Sequence, residues 1–228
     1  MSSSYTYEAF KPFIKSIKPK IVAEVGSMHG LDTIELMKEY NPEKVIVVEC
    51  NPEGIELCKK NLKPYKQVTL VENAAWNTET TLSFYKVVES RDMNGNVSHS
   101  NEMHKCNIGA SSCFKTNNVW PFEYYRQEEI KVKARRLEDI FKDNNIDNVD
   151  LICMDVQGAA LQVMEGAGNY LKNVKAIITE LEIEPIYHEQ SLLRDVEPYL
   201  SQYGFKIAAA NNWSDLSRDF LFVNTNFS

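Results

Sequence analysis

Glycines 26 and 30 bracket the turn Glu24-Val25-Gly26-Ser27-Met28-His29-Gly30, which follows the apolar run 21–25 directly. Such a turn lets backbone approach a ligand and lets the next helix begin close to a sheet. Glu24, Gly26, Ser27, Met28 and Gly30 are therefore candidates to hold a cofactor. A dinucleotide fingerprint G-x-G-x-x-G starting at Gly26 needs glycine at 28 and 31, where Met28 and Leu31 stand, so a pyrophosphate has no obvious cradle. An adenosine-containing cofactor without pyrophosphate fits better. Glu49 ends the second apolar run, where an acid can accept hydrogen bonds from both ribose hydroxyls, and Cys50 follows it. After the third run, Asn73-Ala74-Ala75 offers an amide and small residues able to hold an adenine. Trp76 serves equally well as a core residue.

Asp155, with Val156 beside it, ends the fourth run. It can orient cofactor and acceptor, take a proton as general base, or ligate a divalent ion together with Glu180 or Glu182. An acid before a glycine turn can also simply cap the next helix. Alternation in Thr179-Glu180-Leu181-Glu182 puts both glutamates on one strand face, serving a site or facing solvent. His188 is a second base candidate because imidazole titrates near neutral pH, although a surface-loop histidine is the plainer reading. His29 is more suited to packing within its turn. His99, His104, Cys106 and Cys113 lack the usual zinc-site cysteine spacing. Trp120 and the tyrosines of Val119-Trp120-Pro121-Phe122-Glu123-Tyr124-Tyr125 can form a sugar-stacking wall or anchor the segment to its domain.

The elements that must position these residues alternate. Strand-length apolar runs (21–25, 44–49, 68–72, 150–155, 176–181) are separated by segments of helical period (31–40, 52–62, 137–143, 159–165, 191–203), the pattern of a parallel sheet covered by helices. Residues 205–210 and 220–224 read as a closing antiparallel hairpin. Residues 80–85 and 130–134 read as an extra strand pair enclosing an insertion, 86–130, whose polar loop 89–112 is expected to act as a lid. Residues 1–20 read as an N-terminal helical extension.

The chain has 228 residues, 43% of them hydrophobic and 25% charged, enough for one large core and hence for one domain. No stretch reaches membrane-spanning length, and residues 1–20 lack the apolar run of a signal peptide. Five scattered cysteines suit reduced thiols, so a soluble cytoplasmic protein is expected. A net charge of -7 argues against a nucleic-acid partner. The basic stretch Lys131-Val132-Lys133-Ala134-Arg135-Arg136 reads as a solvated strand edge, or less simply as a patch for an acidic substrate.

Taken in order and spacing, these pieces resemble the FkbM family of S-adenosylmethionine-dependent methyltransferases from Val22 to Val223. The matching pieces are the E-V-G-S-M-H-G turn, Val48-Glu49-Cys50-Asn51-Pro52, Asn73-Ala74-Ala75, Gly109-Ala110-Ser111-Ser112, the R-L-E-D-I core within 132–140, Asp155-Val156-Gln157-Gly158-Ala159, Glu180, and Pro185-Ile186-Tyr187-His188-Glu189. The resemblance implies a Rossmann-like class I methyltransferase fold, an α/β architecture with a seven-stranded, mostly parallel sheet. It implies S-adenosylmethionine as cofactor, and methyl transfer to a hydroxyl of a sugar, glycan or related metabolite. It also implies substrate contact at Ser111, Ser112, Gln157 and Tyr187. One departure stands out: the family commonly carries an acid two positions after the glycine of D-V-x-G, and this chain has Ala160. An NAD-dependent oxidoreductase of similar fold and a catalytically silent cofactor-binding protein are the competing readings.

Overall fold

The structure, a computed structural model, describes residues 4–99, 106–211 and 214–227. A short 3-10 turn leads into α1 (Lys11–Ile17), followed by β1 (Ile21–Val25), α2 (Leu31–Tyr40), β2 (Lys44–Val48), α3 (Pro52–Leu62) and β3 (Val68–Val71). Next come β4 (Ala74–Ala75), β5 (Thr80–Asp92), β6 (Val97–His99), β7 (Glu123–Arg135) and α4 (Leu137–Asp143). The chain then runs through β8 (Leu151–Met154), α5 (Ala160–Ala167), β9 (Ala176–Glu182), α6 (Leu193–Ser201), β10 (Phe205–Asn211) and β11 (Ser217–Asn224).

Local chemistry explains the boundaries. At the start of α3 the Asn51 side chain accepts the Glu53 N–H at 3.2 Å, and Pro52 occupies the first turn, where no N–H is missed. α2 stops at Asn41, which takes a left-handed conformation (φ +49) and donates its N–H to the Met37 carbonyl, a common helix ending.

Seven strands form one sheet in the order β10-β11-β9-β8-β1-β2-β3. Five are parallel, and β11 runs antiparallel to β9 and β10. Both faces are covered. Ala23, Val25, Ile46 and Ile152 pack against α4, α5 and α6 through Phe141, Met164 and Leu200. Val22, Val45, Val47 and Cys153 pack against α1, α2 and α3 through Ile14, Leu36 and Leu62. Double coverage is why Val45–Val48 can be an unbroken apolar run. The predicted seven-stranded α/β sheet with its closing hairpin is thus present.

The inserted region departs from expectation. β5 and β7 are each 13 residues long and pair from Thr80↔Ala134 to Asp92↔Glu123 with a one-residue register shift between Val87 and Glu89, forming with β4 and β6 a second sheet of order β4-β7-β5-β6. The first part of the expected polar loop, at 89–92 and 97–99, is therefore strand. Val87, Val88 and Ser90 are buried, and Val87 packs with Cys106, Ile108, Ala110 and Tyr125 in a small separate core that also takes in Met28 and Trp120. That core extends the ribbon and rests it on the turn after β1. His104 lies outside the described residues. The basic stretch alternates exposed Lys131 and Lys133 with buried Val132 and Ala134 along β7. Lys131 pairs with Glu129 and Arg135 with Asp143, so these charges are solvated, although at Ala134 the strand is no edge, being paired with β4 as well as β5. Among the described residues no helix is long and apolar enough to cross a membrane.

Candidate functional site

Strand order reverses at β1, which lies between β2 and β8 with all three strands parallel. Open α/β sheets bind ligands outside the carboxyl ends of the strands at this kind of point. Two adjoining cavities open there, and Met28, Gly109 and Asp155 line both of them.

The first cavity encloses about 860 Å³ when the space at its open mouth is included. Gly26, Ser27, Met28, Glu49, Cys50, Asn73, Ala74, Ala75, Asp155 and Val156, all expected at a cofactor, line it. Gly26 must be glycine: its φ is +79, and a Cβ there would sit 1.9 Å from the Asp155 carbonyl oxygen. Met28 is also left-handed (φ +55), a conformation that costs a non-glycine residue about 1 kcal/mol. The Met28 N–H donates to Glu49 Oε2 at 2.7 Å, while Glu49 Oε1 accepts the Cys50 and Asn51 N–H groups, also at 2.7 Å. Burial raises the Glu49 carboxyl above its ordinary pKa, against the downward pull of these backbone donors.

Two of the expected residues do not reach this cavity. Glu24 lies fully buried beneath the turn, where the Thr33 hydroxyl donates to its Oε2. Its Oε1 has no hydrogen-bond partner among the described residues, and burial pushes its carboxyl up to about 8. Gly30 instead opens α2 in a left-handed conformation, packed so closely that a Cβ would meet Leu62 at 2.8 Å. Tyr5, Asp32, Asn51, Phe84, Ile108, Gly109 and Cys113 also line this cavity. Among these, the sequence carries a signal for Asn51 and Gly109, which lie in the 48–52 and 109–112 stretches shared with the family.

The second cavity, about 620 Å³, lies on the other side of Asp155. Gln157, Glu180, Tyr187, Trp120 and Tyr125 line it. Gln157, left-handed at φ +46, donates its side-chain amide to Asp155 Oδ1 at 2.5 Å. The Tyr187 hydroxyl lies 2.6 Å from the Gln157 side-chain oxygen and 3.1 Å from the Ala110 carbonyl. Asp155 follows β8, Glu180 lies on β9, and Asp219 is the direct cross-strand partner of Glu180 on β11. Burial, reinforced by Asp219, pushes the Asp155 carboxyl up to about 7, though the Gln157 amide pulls it down. Burial and the Asp155 charge raise Glu180 well above the carboxylate range. The Ser217 hydroxyl donates to Glu180 Oε1.

The remaining expected residues fall elsewhere. Ser111 lines the first cavity, its hydroxyl donating to the Ile108 carbonyl at 2.6 Å and accepting the Val87 N–H. Ser112 is buried outside both cavities, with its hydroxyl donating to the Gln157 carbonyl at 2.6 Å. It therefore braces the turn that carries Gln157. Glu182 does not face solvent: it is 1% exposed, and burial pushes its carboxyl up to about 8. His188 is exposed and lines neither cavity, and its backbone N–H donates to the Lys115 carbonyl at 2.9 Å. Tyr187, one residue earlier, points inward instead. Ala160 is buried in the first turn of α5, against the core. Among the described residues, no three histidines, cysteines or acids are grouped so as to hold a metal ion.

A glycine cradle at Gly26, an acid at the end of β2 and small residues at Ala74-Ala75 fit an adenosine-type cofactor such as S-adenosylmethionine. The profile of the Methyltransferase FkbM domain matches residues 21–207. The chain is 23% identical over 184 residues to "2-O-methyltransferase NoeI" of Sinorhizobium fredii, covering 80% of this chain and 72% of that protein. An uncharacterised protein of Listeria monocytogenes superposes with a TM-score of 0.51 at 12% identity, covering 96% of this chain and 66% of that one. TrmK of M. capricolum, solved with S-adenosyl-homocysteine, superposes at 0.48 with 10% identity, over 94% and 68%. With four-fifths of its length matched by one profile, the chain belongs to the FkbM methyltransferase domain family.

Proposed function

We propose that this protein is an S-adenosylmethionine-dependent O-methyltransferase whose acceptor is an uncharged, hydroxyl-bearing small molecule of the sugar or glycan class. The observation that carries this reading is the meeting of two cavities at Asp155. One is suited to the cofactor, and the other is open to an acceptor.

When bound, the cofactor would supply an electrophilic methyl carbon on a sulfonium, and in-line attack by an acceptor oxygen would form the C–O bond as the C–S bond breaks and S-adenosylhomocysteine leaves. The protein's main task is then alignment of the oxygen. Asp155 stands between the cavities with a carboxyl held near 7, close to the ideal for a general base at neutral pH. It takes the hydroxyl proton. Gln157 fixes the Asp155 carboxylate, and Tyr187 fixes Gln157. Burial and the Asp155 charge push the Glu180 carboxyl upward, which favours the protonated form, able to donate a hydrogen bond to a sugar oxygen.

The acceptor class follows from the lining. Asp155, when ionised, is the negative charge at the second cavity, and no lysine, arginine or histidine is among the described residues lining it, so nothing there offsets the charge of an acceptor bearing phosphate or carboxylate. Trp120 and Tyr125 offer rings for the apolar faces of a sugar. The name of the Sinorhizobium relative, a 2-O-methyltransferase, favours oxygen as the acceptor atom. The test is transfer of a labelled methyl group from S-adenosylmethionine to a panel of neutral oligosaccharides, phosphorylated sugars, amines and RNA. Label in an alkali-stable ether on a neutral sugar is expected. Label found only on nitrogen, or only on anionic acceptors, would overturn the reading.

A further inference from the structure

Tyr5 lies ahead of β1 and outside the span matched by the family profile, yet it lines the first cavity. It is 2% exposed. The segment that carries it is fastened to α2 at several points. The Tyr40 hydroxyl donates to the Tyr5 carbonyl at 3.0 Å, Lys15 pairs with Glu39 at 2.6 Å and Lys11 pairs with Glu39 at 3.4 Å. Phe10 and Ile14 are wholly buried in the core on the α2 side of the sheet. Tyr5 itself packs in that same core with Val22 of β1, Cys153 of β8 and Leu36 of α2, which sets it beside the strand ends that carry Gly26 and Asp155.

That placement has a chemical meaning. Glu49 follows β2 and Asn73-Ala74-Ala75 follow β3, the positions for ribose and adenine. The opposite end of the cavity, at Gly26, Asp32 and Asp155, is left for the amino-acid portion and the sulfur. We infer that Tyr5 is a cofactor-binding residue whose ring closes this amino-acid end, making the segment ahead of β1 part of the binding site. The inference rests on the reading of the first cavity as the S-adenosylmethionine site. It further implies that cofactor binding and seating of residues 4–17 are coupled: each stabilises the other.

Calorimetry with S-adenosylhomocysteine and with 5′-methylthioadenosine, which lacks the amino-acid end, separates the possibilities on the full chain. Tyr5→Ala should weaken S-adenosylhomocysteine about 10- to 100-fold, the equivalent of one lost aromatic contact, and leave 5′-methylthioadenosine within about threefold. Tyr5→Phe should keep the affinity. Hydrogen exchange of the unaltered protein supplies a readout that needs no variant: S-adenosylhomocysteine should slow exchange across residues 4–17. If wild-type protein binds S-adenosylhomocysteine but Tyr5→Ala leaves its affinity unchanged or weakens both ligands equally, the role given to Tyr5 is wrong while the cofactor reading stands. The same holds if exchange across 4–17 ignores the ligand. If the wild type binds neither ligand, the cofactor reading falls and this inference falls with it.

Discussion

The Tyr187 hydroxyl lies 2.6 Å from the side-chain oxygen of Gln157. Because that oxygen is engaged, the amide nitrogen is turned toward Asp155, which accepts from it at 2.5 Å. Tyr187 and Gln157, far apart in sequence, thereby set the direction of the carboxylate between the cavities, and the Gln157 amide pulls its pKa down against the larger upward push of burial. Gln157 holds this position in a left-handed conformation, and such local strain is typical of functional sites.

Gln157→Leu is expected to lower kcat about 10- to 100-fold, since a freed Asp155 carboxylate is no longer aligned with the acceptor. Gln157→Glu restores a polar group but adds a like charge, so the Asp155 carboxyl rises further and the pH at which activity appears moves up by about one unit. Rate-against-pH profiles of the two variants check this. Coincident profiles for Gln157→Glu and wild type would contradict it.

Asp155 acts as a base only when ionised. Burial holds its carboxyl near 7, so kcat should climb as pH rises through about 7, with the deprotonated form active. Asp155→Asn should cost about 10²- to 10⁴-fold in kcat and remove that limb, while S-adenosylhomocysteine binds within about threefold of wild type. Retained activity in Asp155→Asn would reassign the base. A catalytically silent protein would show no turnover in either form.

Gly26→Ala places a Cβ against the Asp155 carbonyl at a backbone angle that residues with side chains rarely adopt. Either the turn after β1 shifts or the β8 turn does. Loss of cofactor binding and a destabilisation of about 2–4 kcal/mol are expected, measurable by calorimetry and urea unfolding. Normal binding would mean that the turn is more pliable than its geometry indicates.

Glu24 carries a stability signature. Its folded-state carboxyl is pushed up to about 8 by burial, whereas an unfolded glutamate titrates near about 4.3. Between those values the folded protein holds a proton that the unfolded chain has released. The group's contribution is therefore complete at acid pH and is lost as pH rises through about 8. Glu24→Gln keeps an acceptor for the Thr33 hydroxyl and removes the titration. It should flatten the fall in unfolding free energy between pH 5 and 9 and raise stability at pH 9 by roughly 2–4 kcal/mol. An unchanged pH dependence in urea titrations would contradict this.

The central sheet was readable because its signals are local. Val45–Val48 is apolar throughout since both faces are covered, and α3 starts where Asn51 and Pro52 say it should. The glycine turn after β1 was readable for the same reason: glycine spacing is a local property. What could not be read depends on distant segments folding back. Phe84, Ile108 and Cys113 line the first cavity because the β5–β7 ribbon lies over Met28, and Tyr5 arrives from ahead of β1. Residues 187 and 188 show the limit: Tyr187 is 2% exposed and His188 faces out. In a loop no period tells the inward residue from the outward one.

A crystal structure of the protein with S-adenosylhomocysteine tests the central claim most directly. The account predicts the ribose hydroxyls beside Glu49, the adenine beside Asn73-Ala74-Ala75, and the sulfur facing the second cavity next to Asp155. A ligand bound outside the Gly26 cavity, or one whose sulfur points away from Asp155, would contradict it.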